Sequence, residues 1–163
     1  MQPDTLTTLF QHHRWANLRL IEACRGLTDE QRDASVLGGF GSIRDTLHHI
    51  VLSEQSYFSR ISTGKRAVHS PDDPPMTLDE IAQSLQHTAT GLIEWSAKIQ
   101  ADEIVEIDWD GELRDVPKTI LFTQAINHAT EHRAQIMTIL TQLGVEPPEL
   151  SGWAYFDEQV YHS

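Results

Sequence analysis

KTILFTQAINHATEHRAQIMTILTQL, residues 118–143, places Phe122, Ala125, Ala129, Ile136, Leu140 and Leu143 on one face of a helix. Gly144 and then Pro147-Pro148 stop it. His132 falls within the arc of that apolar stripe and His128 at its edge, one turn apart. Both imidazoles therefore face, or nearly face, whatever covers the stripe. A long amphipathic helix of this kind buries its apolar face against other helices, and the sequence upstream supplies three.

The first runs from about Asp4 to Arg25, with Leu6, Leu9, Phe10, His13, Asn17, Leu20, Cys24 and Leu27 in its stripe. Thr28-Asp29-Glu30 reads as the cap of a short extra turn, and the glycine-rich stretch Val36 to Gly41 as a loop. Ser42 caps a second helix, with Asp45 as acidic partner in an approximate capping box and Ile43, Leu47, Ile50, Val51, Tyr57, Phe58 and Ile61 as its stripe. Gly64 to Pro75, with three prolines, is a connection. Thr77-Leu78-Asp79-Glu80 is a capping box opening a third helix to about Gln100, with Leu78, Ile81, Leu85, Leu92, Ile93 and Ile99 apolar. Val105, Ile107 and Trp109 alternate before Asp110-Gly111, a two-residue hairpin signal, and Leu113 to Val116 form the return strand. The expectation is an all-α single domain over 1–163, a four-helix bundle with a small β-hairpin before the fourth helix. The long connections permit an up-down-down-up path as well as a simple up-down one.

Acidic residues outnumber basic ones 24 to 12, for a formal charge of −12. Without a basic stripe to neutralise phosphates, neither nucleic acid nor an anionic membrane is expected as a partner. Cys24 is the only cysteine, so an internal disulfide framework and a cysteine-based zinc site are excluded. Within an apolar stripe and lacking an activating cation, Cys24 reads as core. The polar start at Met1-Gln2-Pro3-Asp4 lacks signal-peptide order, and no apolar run approaches the roughly 18 residues of a membrane span. A cytoplasmic location is expected. The tail aromatics Trp153, Tyr155, Phe156 and Tyr161 imply a segment folded back onto the bundle or onto a second subunit, which would also cover the outward-pointing Trp15.

Of nine histidines, His12, His69, His87 and His162 fall on polar faces, loops or the tail and are expected to be exposed. His128 and His132 gain weight from His48-His49 in the second helix, because three neutral imidazoles with an open water position suit Zn, Ni or Fe. Periodicity does not choose between His48 and His49. His13 and Asn17, polar residues within the first stripe, need hydrogen-bonded partners there: a buried polar pair, or contacts lining a pocket.

Trp15-Ala16-Asn17, Leu47-His48-His49-Ile50 followed by Glu54, and His128-Ala129-Thr130-Glu131-His132-Arg133-Ala134-Gln135 together resemble the DinB/YfiT-like family of metal-dependent proteins, over nearly the whole chain. The resemblance implies an up-down-down-up bundle, often a homodimer, with one metal-ligating histidine on the second helix and two on the fourth. In the family's second-helix pattern the ligand directly precedes an apolar residue and lies five before an acid, which selects His49 over His48. Arg133 and Gln135 belong to the same motif. Members with assigned activities include transferases and isomerases using small cofactor thiols, in which the metal lowers the pKa of a bound thiol or water. The implied function is a divalent-metal-dependent enzyme of transferase or hydrolase type acting on a small-molecule substrate, with a low-molecular-weight thiol as candidate cosubstrate. The alternative is a non-catalytic metal-binding or stress-response module, and a bundle whose histidines are simply polar core is a third reading.

Other motifs compete for the same residues. His128-Ala129-Thr130-Glu131-His132 also spells the H-x-x-E-H of inverted zinc peptidases, with Glu131 as general base. The short tail after His132 leaves little room for such a domain, and Glu131 stays a candidate catalytic residue. Paired Glu-x-x-His motifs of a di-iron bundle are absent. Asp108, Asp110, Gly111 and Glu112 lack the full twelve-residue calcium-loop pattern and fit a charged turn.

Overall fold

The fold is that of a computed structural model describing residues 3–70 and 72–161; His162 and the side chain of Tyr161 lie outside the description. α1 (Thr5–Arg25) starts at Asp4, whose carboxylate accepts the Thr7 N–H at 2.8 Å. Three capping boxes follow. Thr28 and Gln31 set the single turn α2 (Asp29–Arg32), Ser42 and Asp45 set α3 (Ile43–Thr63), and Thr77 and Glu80 set α4 (Leu78–Ser96). Each satisfies two N–H groups that a helix start leaves without partners. α3 stops at Gly64, whose φ of 75° closes the helix in the left-handed region. α4 ends at Ser96 rather than near Gln100, because the Gln100 N–H is taken by the Glu103 carboxylate at 3.0 Å.

β1 (Ile104–Trp109) and β2 (Glu112–Pro117) pair antiparallel, with Trp109 opposite Glu112. Asp110 and Gly111 take φ of 55° and 90°, the positive pair that an Asn-Gly or Asp-Gly hairpin turn requires. The Asp108 carboxylate accepts the Gly111 N–H, so the acidic turn serves the hairpin. α5 (Lys118–Gln142) follows directly, and α6 (Gly152–Tyr161) ends the described chain.

Two apolar clusters fix the path. One joins Leu20, Ile21 and Cys24 from the end of α1 with Ile43, Leu47 and Ile50 near the start of α3, Ile81 and Leu85 near the start of α4, and Ile136, Ile139 and Leu140 near the end of α5. The other joins Phe10 from the first half of α1, Ile61 and Leu92 near the ends of α3 and α4, Phe122 and Ala125 near the start of α5, and Val105 and Ile107 from β1. Hence α1 and α5 run one way and α3 and α4 the other, the up-down-down-up bundle. Between the clusters lies a polar layer with one or more buried members on each long helix: His13, Asn17, Glu54, Thr88, His132 and Arg133.

The tail folds onto α1. Tyr155 of α6 meets Trp15 at 5.5 Å and His12 at 5.7 Å between ring centroids, and Arg19 pairs with Glu158. His12, expected on an exposed face, is instead half-buried, with a ring nitrogen 2.8 Å from the Leu150 carbonyl. The reason is the tail itself, whose helical course the sequence pattern does not show. His69 is also half-buried, whereas His87 is exposed. Among the described residues no helix is long and apolar enough to cross a membrane.

α3 and α4 approach closely at Gly91, where a methyl group would overlap the ring of Phe58. Gly91→Ala should therefore cost about 1–3 kcal/mol in urea unfolding from overpacking, despite a helix propensity better by about 1 kcal/mol. Phe58→Leu in the same chain should recover part of the loss. A Gly91→Ala protein as stable as wild type would contradict this packing.

Candidate metal centre

α3 contributes His49 and α5 contributes His128 and His132, all with potential ligand nitrogens within 4.8 Å of one another. The Nε2 atoms of His49 and His128 stand 2.8 Å apart. Two nitrogens on one tetrahedral zinc ion lie roughly 3.3 Å apart, given Zn–N bonds of about 2.0–2.1 Å, so the group needs little adjustment to hold an ion. No carboxylate or thiolate joins the three histidines among the described residues. His132 is 8% exposed, and the other two are half-buried.

The surroundings aim these rings. The Gln135 side-chain carbonyl accepts from His132 Nδ1 at 3.0 Å and from the Phe40 N–H at 3.2 Å, which leaves His132 Nε2 free to bind. The Phe40 ring stacks on His49 at 4.0 Å and meets the edge of His132 at 5.2 Å. Tyr57 lies against His128, at 5.9 Å between centroids. Burial pushes His128 down to about 4, with the neighbouring His132 and His49 acting the same way and Glu54 opposing. His49 is lowered too, by burial and then by His132. At neutral pH these two rings are uncharged, the state in which an imidazole offers a lone pair to a metal.

Deeper in the bundle, Glu54 organises the polar layer. At 2% exposure its carboxylate lies 2.6 Å from His13 Nε2 and accepts from Asn17 Nδ2 at 3.2 Å and from the Thr88 hydroxyl. Arg133 donates to the Asn17 side-chain carbonyl at 2.7 Å and to Thr130 at 2.9 Å. Burial lowers Arg133 to about 10, with Glu54 pulling it back up, and it remains a cation at neutral pH. One anion and one cation are thus buried together, joined through His13 and Asn17 rather than directly.

His13, Asn17 and Arg133, expected near the site, meet in this layer. His48 is half-buried outside the histidine group, and Glu131 is exposed and also outside it. Cys24 is fully buried, and burial pushes its thiol up to about 11, consistent with packing rather than chemistry. Sequence reasoning assigned no role to Phe40 or Thr88 and read Tyr57 only as part of an apolar stripe. A lone aromatic in the glycine-rich loop was the only trace of the first. Glu54 was visible only as a motif acid.

Removing the cation should expose the layer's cost. Arg133→Met should lose about 3 kcal/mol or more, the scale for stranding one charge of a buried pair, with partial recovery when Glu54→Gln is added. A loss below about 0.5 kcal/mol, typical of surface changes, would contradict this account of the layer.

The model of the DinB family matches residues 1–161. Two solved structures share the fold. A DinB-like protein from Bacillus cereus is 21% identical, with a TM-score of 0.61 over 85% of this chain and 91% of the other. A DinB-like protein from Bacillus subtilis is 16% identical, with a TM-score of 0.64 over 91% of this chain and 99% of the other. No curated protein matches the sequence. With the family model spanning nearly the whole chain, on a bundle of the same fold, the protein belongs to the DinB family.

Proposed function

We propose that this protein is a divalent-metal-dependent enzyme in which His49, His128 and His132 hold Zn, Ni or Fe and leave a coordination position for a thiol or a water. The observation that carries the reading is the convergence of three imidazole nitrogens from two helices, one of them oriented by Gln135, with no fourth histidine, cysteine or carboxylate in the set among the described residues. Three protein ligands and an open fourth position are the pattern of catalytic rather than structural zinc sites. A metal bound there would supply a nucleophile at neutral pH by lowering the pKa of a thiol or water. The chain's own part is to keep the His49 and His128 rings uncharged, to orient the ligand rings through Gln135 and Phe40, and to leave a cleft beside His49 for a small-molecule substrate. The reaction class is transfer or hydrolysis.

Elemental mass spectrometry of untagged protein tests this. Wild type should carry about one equivalent of metal, or take it up on reloading with Zn, Ni or Fe. His132→Ala should lose it and His48→Ala should keep it. A wild type that binds none of the three metals would refute the reading.

We propose a homodimer as the working form. Trp153 is 81% exposed on α6, with Phe156 and Val160 also outward, an apolar set unusual for a free surface. Sedimentation should show a dimer at roughly micromolar concentration that Trp153→Glu weakens. A monomer in wild type at that concentration would contradict it.

A further inference from the structure

Beside the three histidines lies a cleft of about 410 Å³ whose walls include His49, Ser53, Tyr57, Arg60, Arg66 and His69. Its volume is in the usual range of small-molecule sites, about 300–1,000 Å³. Its charge is out of keeping with the rest of the chain, which has 24 acidic residues against 12 basic. Arg19, Arg25, Arg32, Arg44, Arg114 and Lys118 each lie within ion-pair distance of a carboxylate. Arg60 and Arg66, like Arg14, Lys65, Lys98 and the buried Arg133, have no carboxylate within that distance among the described residues, and these two share one cleft. Arg60 is half-buried and among the described residues makes one hydrogen bond, to the Ser56 hydroxyl at 2.5 Å; burial and the neighbouring Arg66 both lower its pKa.

Two guanidinium groups near each other, uncompensated in an acid-rich protein, repel one another unless an anion lies between them. A third group points the same way. The His69 side chain is part of the same wall, and its Nε2 atom, shut off from solvent, has no hydrogen-bond partner among the described residues. The hydroxyls of Ser53 and Tyr57 complete a wall of donors. Through His49, and through Tyr57 packed on His128, this wall adjoins the metal-ligating group.

We infer that the substrate or cosubstrate of the site is a small anion whose carboxylate or phosphate group is held by Arg60 and Arg66 in the cleft beside His49. The word substrate rests on the proposed metal-dependent function, whereas anion binding by the cleft does not. The arginines anchor the charged end, a bidentate task that guanidinium geometry suits, and the reactive end of the molecule reaches the histidines. Neutral and cationic molecules of the same size are rejected.

The test is isothermal titration of inorganic phosphate and of malonate into the full chain, zinc-loaded and metal-free, with malonamide as the neutral control. Phosphate or malonate should bind both forms and malonamide neither, and the stronger of the two anions identifies the group recognised. Arg60→Gln and Arg66→Gln should each weaken binding roughly tenfold, the effect of one lost charged hydrogen bond, with zinc content unchanged. No anion binding to wild type at roughly millimolar concentration overturns the inference even in a chain fully loaded with zinc. Anion binding that both variants leave intact overturns it as well. Anion binding that depends on both arginines in a chain that takes up no metal upholds the cleft and refutes the metal reading alone.

Discussion

The burial of one carboxylate, Glu54, constrains the rest of this bundle. A charge at that depth persists only where donors surround it. Those donors come from α1 through His13 and Asn17 and from α4 through Thr88, with the balancing cation on α5 at Arg133. Every long helix is thereby held to one rotation and one height. On α5 the consequence is direct. With Arg133, Ala129 and Ile136 turned to the core, His128 and His132 fall on the adjoining flank, where α3 presents His49 one and a half turns from Glu54. The arrangement of the histidines therefore depends on a layer that includes only one of them.

The two polar regions differ in what they leave unsatisfied. In the buried layer the carboxylate, the guanidinium and the amide have partners within the chain. In the histidine group the rings approach one another nitrogen to nitrogen, an arrangement that neutral imidazoles satisfy only in part and a cation satisfies fully. Phe40 and Gln135 narrow the rotamers of these rings, and part of the ordering cost of binding is met before any ligand arrives. The cleft adjoining the group brings Arg60 and Arg66 together beside His49.

The elements that could be read from the sequence are those with local causes. Three capping boxes, the Asp-Gly turn and the glycine at the end of α3 are short-range chemistry, and the helix starts follow from it. What the sequence left open depends on contacts distant along the chain. Periodicity could not separate His48 from His49, because both lie off the centre of the stripe; family resemblance selected His49, the residue that α5 meets. α6 escaped notice as a helix because it is short and packs through a few aromatics on α1. His13 and Asn17 stood out as polar residues within an apolar stripe, but their partners Glu54 and Arg133 sit on other helices, distant along the chain. Phe40 is a loop residue with no period to betray its contact with His49.

The most direct test of the central claim, a three-histidine site with an open coordination position, is X-ray absorption at the zinc edge of the loaded protein. The account predicts three imidazole nitrogens at about 2.0–2.1 Å and one further light atom. Adding a small thiol should replace that atom with sulfur at about 2.3 Å. Four ligands from the protein that no added thiol displaces, or a zinc environment unchanged by His132→Ala, would contradict it.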